Sequence, residues 1–274
     1  MAGSLGWTER IVVIKLGGSI LVRPTAYRRA ASFVRSRLCT HPSEKLVIVV
    51  SAQEATTDRL ERAAKKIVRE PHAKALDLLW STGEIRSVAI LALELQALGV
   101  QAGPLNIHQA GLSVLENGSD SGQVGGTAQC NPGKLFSVLE KYPVVIVPGF
   151  FATDSERAIT SLGRGGSDLT AVLLAQGLQA CRCELIKDVP GYFTSDPHKN
   201  SEATPISHLT FEQALEFASS GCDLVQRKAI EAAKSCGLPL VIRSLNENEP
   251  MSRIIDIAVV DSVAKEIPSA VEAF

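Results

Sequence analysis

Short apolar, β-branched runs alternate with stretches of helical periodicity through most of the chain. Residues 11–14 (Ile-Val-Val-Ile), 47–50, 144–147 and 239–242 are continuous apolar runs, the pattern of strands covered on both faces. Between them, residues 25–38, 56–69, 75–98, 167–178, 210–219 and 224–236 carry apolar side chains at helical spacing. The Thr56-Thr-Asp58 triplet is expected to cap the second of these helices, and Ser167 or Asp168 the fourth. Residues 116–134 and 198–207 break the rhythm and read as loops, rich in Asn, Gly, Ser and Asp in the first case. A last strand-like run covers 254–260. Strand–helix alternation with short connections predicts an α/β fold: a three-layer αβα sandwich around a largely parallel sheet. One domain over residues 1–274 is expected.

Composition narrows the function classes. The chain has 274 residues, 45% hydrophobic and 21% charged, enough to close a sizeable core without disulfide or metal staples. A net charge of −1 and an aromatic content of 5% offer neither a field for nucleic acid or anionic lipid nor a base-stacking platform. The first apolar run is interrupted by Lys15 and Gly17-Gly18, and the run at 88–100 carries Glu94 and is too short to cross a bilayer. Six scattered cysteines show no framework spacing and read as reduced, packed thiols. Cys181 and Cys183 share one strand face and could begin a metal site, the less favoured reading. A cytoplasmic location follows as an expectation, with the Asn117-Gly-Ser119 sequon idle.

Three segments carry candidate chemistry. Lys15-Leu-Gly-Gly-Ser19 stands where a strand ends and a helix is about to begin. There, glycines let the backbone approach a phosphate and a lysine supplies a point charge. The same residues would also serve as a plain Gly-Gly turn. Gly163-Arg-Gly-Gly-Ser-Asp168 precedes an apolar helix, so arginine and backbone donors converge on one helix N-terminus. A structurally paired arginine is the alternative there. Lys187-Asp-Val-Pro-Gly191 ends an apolar run, where an aspartate can meet a ribose or magnesium, or cap a turn.

In this order, with Val49-Val-Ser-Ala52, Thr56-Thr-Asp58, Ser81-Thr-Gly-Glu84 and Thr194-Ser-Asp-Pro197, the segments resemble the amino acid kinase family. Within it they look most like the aspartate kinases, over residues 10–250. The resemblance implies an N-terminal acceptor-binding half of about 1–160 and a C-terminal nucleotide-binding half of about 161–274. It implies that Lys15 holds the transferring phosphoryl group, that Asp168 orients Lys15, and that Gly17, Gly18 and Ser19 cradle the phosphate. Ser51, Thr57, Glu84, Arg164 and Ser167 would form the acceptor pocket, and Lys187, Asp188 and Phe193 the nucleotide site. The implied reaction is ATP-dependent phosphorylation of the side-chain carboxylate of L-aspartate, with magnesium carried by the nucleotide. A relative acting on another acidic amino acid, or an impaired nucleotide-binding protein, is the alternative. A homodimer is expected by the same resemblance.

The chain also departs from the family pattern. Asp223 stands where the family carries a lysine that stabilises the departing charge, and Arg227, one helical turn on, is expected to restore it. Lys187 replaces the usual Thr, Phe193 the usual Tyr and His198 the usual Arg, while Gln53-Glu-Ala55 replaces a Met-Gly-Gly-type stretch. No regulatory domains are expected after the catalytic one, nor the feedback inhibition they carry. Residues 266–274 are expected to cover the sheet edge.

Overall fold

The computed structural model describes residues 10–114, 128–163, 165–197, 199–200 and 202–256. Arg164, His198, the 117–119 sequon and the 266–274 segment lie outside the described residues. The chain order is β1 (Ile11–Leu16), α1 (Pro24–Thr40), β2 (Lys45–Val50), α2 (Thr56–Ile67), α3 (Ala73–Ala97), β3 (Ala102–Pro104), α4 (Ile107–Ala110), β4 (Leu112–Val114) and β5 (Ala128–Cys130). Then follow α5 (Gly133–Leu139), β6 (Val144–Pro148), β7 (Phe151–Thr153), β8 (Ile159–Ser161), α6 (Gly166–Gly177), β9 (Arg182–Ile186), β10 (Tyr192–Phe193) and β11 (Pro205–Ile206). The last elements are β12 (His208–Thr210), α7 (Phe211–Ser219), α8 (Arg227–Ser235), β13 (Leu240–Arg243) and β14 (Ser252–Ile255).

Eight strands form the central sheet in the order β12-β14-β13-β9-β1-β2-β6-β3. Pairing is parallel from β13 through β3, and β14 runs antiparallel to β13. Every residue of β1 is buried, as a central strand covered on both faces must be. Side chains alternate across the sheet. Val12, Ile14 and Leu16 join Tyr27, Val34, Val88 and Leu91 under α1 and α3, while Ile11 and Val13 join Leu174, Leu178 and Ile230 under α6 and α8. The expected three layers are therefore present. The same alternation puts Lys15 on the α6 face.

Two expected caps fall elsewhere. The residue before α2 is Ala55, in left-handed backbone with φ 57°, and Thr56 is already helical. Helix α6 starts at Gly166 after Gly165 (φ 74°), and no side chain caps it. Asp168 lies inside the first turn, its carboxylate turned to the two lysines described below. At Gly165 both the positive φ and the space require glycine, since an added Cβ would run into Gln226. Helix α8 begins at Arg227, three residues later than its periodicity suggests. The small sheet β5-β4-β7-β8 and the β10–β11 hairpin consist of strands of two or three residues, too short to register as periodicity.

Candidate active site

Strands β1, β2 and β6 end at Leu16, Val50 and Pro148, and their loops open along one edge of the sheet, as ligand sites do in parallel α/β folds. A cavity of about 700 Å³ lies there, lined by Lys15, Gly18, Ser19, Ser51, Thr57, Glu84, Ser167, Asp168 and Lys187 among others. A second cavity of about 320 Å³ adjoins it, lined among others by Ser19, Arg23, Arg29, Lys187, Asp188 and Asn246.

On the larger cavity lies a trio of charges, mostly buried, of which Lys187 also lines the smaller one. Lys15 Nζ is 2.8 Å from Asp168 Oδ1, and Lys187 Nζ is 2.8 Å from Asp168 Oδ2. Burial alone would raise the Asp168 pKa, but the positive charges of Lys15 and Lys187 outweigh it and hold the carboxyl at about 2. The first turn of α6 adds the positive end of its dipole. For Lys187, burial is the larger influence and lowers its pKa, against the pull of Asp168.

The glycine loop closes tightly. Ile20 and Leu21 amides donate to the Gly17 carbonyl at 3.1 and 3.2 Å. A Cβ on Gly17 would stand 3.1 Å from Lys15 Nζ, so glycine keeps that ammonium open to a ligand. Ser19 Oγ donates to Asp188 Oδ1 at 3.3 Å, joining this loop to the one after β9.

At the other end of the larger cavity, Glu84 from α3 accepts from the Ala52 amide at 3.2 Å through Oε1. Among the described residues its Oε2 is buried without a hydrogen-bond partner, and burial pushes the carboxyl up to about 7. Ser167 packs against Gly149, and Thr57, in the first turn of α2, lines the cavity.

Twelve of the thirteen sequence-predicted site residues are described. Lys15, Gly18, Ser19, Ser51, Thr57, Glu84, Ser167, Asp168 and Lys187 meet in the larger cavity, and Asp188 in the smaller. Gly17 lies against Lys15. Phe193 is buried in the β10–β11 hairpin opposite Pro205 and lines neither cavity. Arg164 falls outside the described residues.

Asp223 and Arg227 are exposed and line neither cavity. The Arg227 guanidinium bonds Glu231 at 2.8 Å and Ser219 at 2.6 Å. The expected charge restoration by Arg227 is therefore not what the fold provides.

Sequence reasoning missed Trp80, Phe150 and Gln226, which also line the larger cavity. Phe150 has φ 72°, a conformation that costs a non-glycine residue free energy. It is held there by Thr170 Oγ1 on its amide (3.0 Å) and by the Leu162 amide on its carbonyl (2.8 Å). No local pattern signals any of these three; they are brought in by packing.

The family model described as "Amino acid kinase family" matches residues 10–244. Similar curated proteins include aspartokinases of Thermus thermophilus, 36% identical over 251 residues, and Geobacillus stearothermophilus, 36% identical over 239. These matches cover 90% and 87% of this chain, which spans only 60% and 57% of the two relatives. Among solved structures, aspartate kinase from Synechocystis superposes with a TM-score of 0.77 at 35% identity, covering 89% of this chain and 40% of that one.

Proposed function

Since the chain belongs to the amino acid kinase family, we propose that it transfers the γ-phosphate of ATP to the side-chain carboxylate of L-aspartate. The observation that carries this reading is the Lys15–Asp168–Lys187 trio on a cavity ending in Glu84, with Lys187 also lining a second one bordered by Asp188. It is supported by the aspartokinase relatives.

In this reading an oxygen of the acceptor carboxylate forms a bond to the γ-phosphorus, the bond to the bridging oxygen breaks, and ADP leaves. The acceptor is already ionised near neutral pH, so no protein base is needed. Bringing two anions together is the main barrier, and positioned positive charge lowers it. Lys15 holds the group in transfer and Asp168 keeps that ammonium in place, while Gly17, Gly18 and Ser19 line its path. Glu84 takes the ammonium of the amino acid, a partner that Oε2 lacks among the described residues. Ser51, Thr57 and Ser167 complete the acceptor side, with Arg164 on a carboxylate. Lys187 and Asp188 serve the nucleotide side.

Among the described residues no group of three or more His, Cys, Asp or Glu side chains is placed to hold a metal ion. In this reading magnesium comes with the nucleotide phosphates and adds charge there. A homodimer in the cytoplasm goes with this reading. No helix among the described residues is long and apolar enough to cross a membrane.

Trp80, Gln53 and Gln226 on the acceptor side favour one competing reading, a different acidic acceptor. The test is ADP release from Mg·ATP by the purified chain with aspartate, glutamate or no acceptor, hydroxylamine trapping the acyl phosphate. Hydroxamate with aspartate alone is expected. Hydroxamate with glutamate instead would change the acceptor, and ATP binding without turnover on either would overturn the kinase reading.

A further inference from the structure

Of the residues lining the two cavities, only Ser19 and Lys187 line both. Lys15 lines the larger one and Asp188 the smaller. Lys187 is held in that position from both ends. Its amide donates to the Arg243 carbonyl at 2.9 Å, anchoring the end of β9 to β13, and its Nζ sits 2.8 Å from Asp168 Oδ2.

A purely structural role explains this poorly. The buried Asp168 carboxylate already has a counter-ion in Lys15 at 2.8 Å. A second ammonium on the same carboxylate adds desolvation and repulsion, because the lysine side chains are only 9% and 12% exposed. Within the trio itself two ammoniums face one carboxylate, while the neighbouring Asp188 is exposed and accepts from Ser19 Oγ at 3.3 Å. That local surplus of ammonium suits an anion that passes between the cavities.

We infer that Lys187 is a catalytic residue that contacts the phosphoryl group as it crosses from the nucleotide-side cavity to the acceptor cavity, with Lys15 receiving it from the other side. This rests on the phosphotransfer reading above and goes beyond nucleotide binding. The two ammoniums flank the group in flight, and Asp168 fixes the spacing between them.

Two measurements test it. The first is the affinity for Mg·ADP by calorimetry, with and without aluminium fluoride, a stand-in for the phosphoryl group in transit. In the parent chain the fluoride should tighten binding by about tenfold or more. Lys187→Met should weaken Mg·ADP binding itself only modestly and lose that tightening, while Lys187→Arg should keep part of it. Equal tightening in parent and Lys187→Met, or none in either, overturns the inference. Lys187→Gln, which keeps a polar head against Asp168, serves if the methionine variant fails to fold.

The second is hydroxamate formation. Lys187→Met should lower kcat by about 100-fold, a far larger effect than its effect on KM for ATP. A loss confined to KM would make Lys187 a nucleotide-binding residue only and overturn the inference. If the parent chain makes no hydroxamate with aspartate yet the tightening still depends on Lys187, the acceptor assignment fails and the inference stands. If Lys187→Met turns over aspartate at the parent rate, the reverse holds.

Discussion

Two clusters of buried charge lie on opposite faces of the same strands, and they are built to different rules. On the α1 face, Arg37 reaches Glu44 at 2.7 Å and Glu184 at 3.1 Å, and Arg182 reaches the same two carboxylates at 2.9 and 2.8 Å. Arg243 completes the group 3.9 Å from Glu184 and 4.0 Å from Glu247. Three arginines thus meet three glutamates, and bidentate guanidiniums hold the spacing. On the α6 face, two lysines share the single carboxylate of Asp168. The first cluster is closed and neutral and ties α1 to β9. The second sets two ammoniums on one carboxylate, with the exposed Asp188 beside it, and borders open space. Under the proposed function, that difference separates charge spent on the fold from charge kept for a ligand.

The largest effect that could break this comparison lies in the closed cluster. Glu184→Gln leaves Arg37, Arg182 and Arg243 without their central carboxylate and should cost about 3–5 kcal/mol of stability, read as a denaturation midpoint. A loss near zero would mean that cluster holds nothing. Lys15→Met should do the opposite kind of damage. Turnover should fall by a factor worth about 2.7–4 kcal/mol in the transition state, with the melting temperature little changed. A large loss of stability with normal turnover would reverse the two assignments.

Glu84 gives a pH test at the far end of the open cavity. Its carboxyl ionises at about 7 in the fold against a reference value of 4.5. A raised acid binds its proton more tightly in the folded than in the unfolded state, so stability falls as pH rises from 4.5 to 7. Above that window the cost is about 3 kcal/mol. Glu84→Gln should flatten this part of the stability–pH curve while weakening aspartate binding. In the parent chain at pH 6.5, aspartate binding should release a proton, visible as buffer-dependent heat in calorimetry. Parallel curves for parent and variant would show that Glu84 does not carry the shift.

The smallest effect concerns the exposed pair that sequence reasoning singled out. Arg227→Ala removes a surface contact to Glu231 and should change stability by less than about 0.5 kcal/mol, with turnover unchanged. A steep loss of turnover would return Arg227 to the active site.

Much of the molecule was legible beforehand for identifiable reasons. The core strands β1, β2, β6 and β13 announce themselves because burial on both faces demands unbroken apolar runs. Lys15 and Asp168 were legible because glycine loops at strand ends and helix starts constrain the backbone locally. The cap at Asp168 was misassigned for a physical reason: a carboxylate beside two buried ammoniums gains more from them than from a free helix amide. Arg227 was misassigned because helical spacing fixes which residues share a face, and it says nothing of where that face points.

By itself the sequence determined the layers, the order of the loops and the candidates for handling an anionic group, since each depends on local periodicity or local backbone freedom. Only the tertiary structure decided which charges share a counter-ion. Lys15 in β1, Asp168 in α6 and Lys187 just after β9 are spread over more than half of the chain, and their partnership exists only once β1 lies beside β9 and α6 packs across them. Electrostatic energy falls with distance through space, so it is settled by the fold and not by separation along the chain.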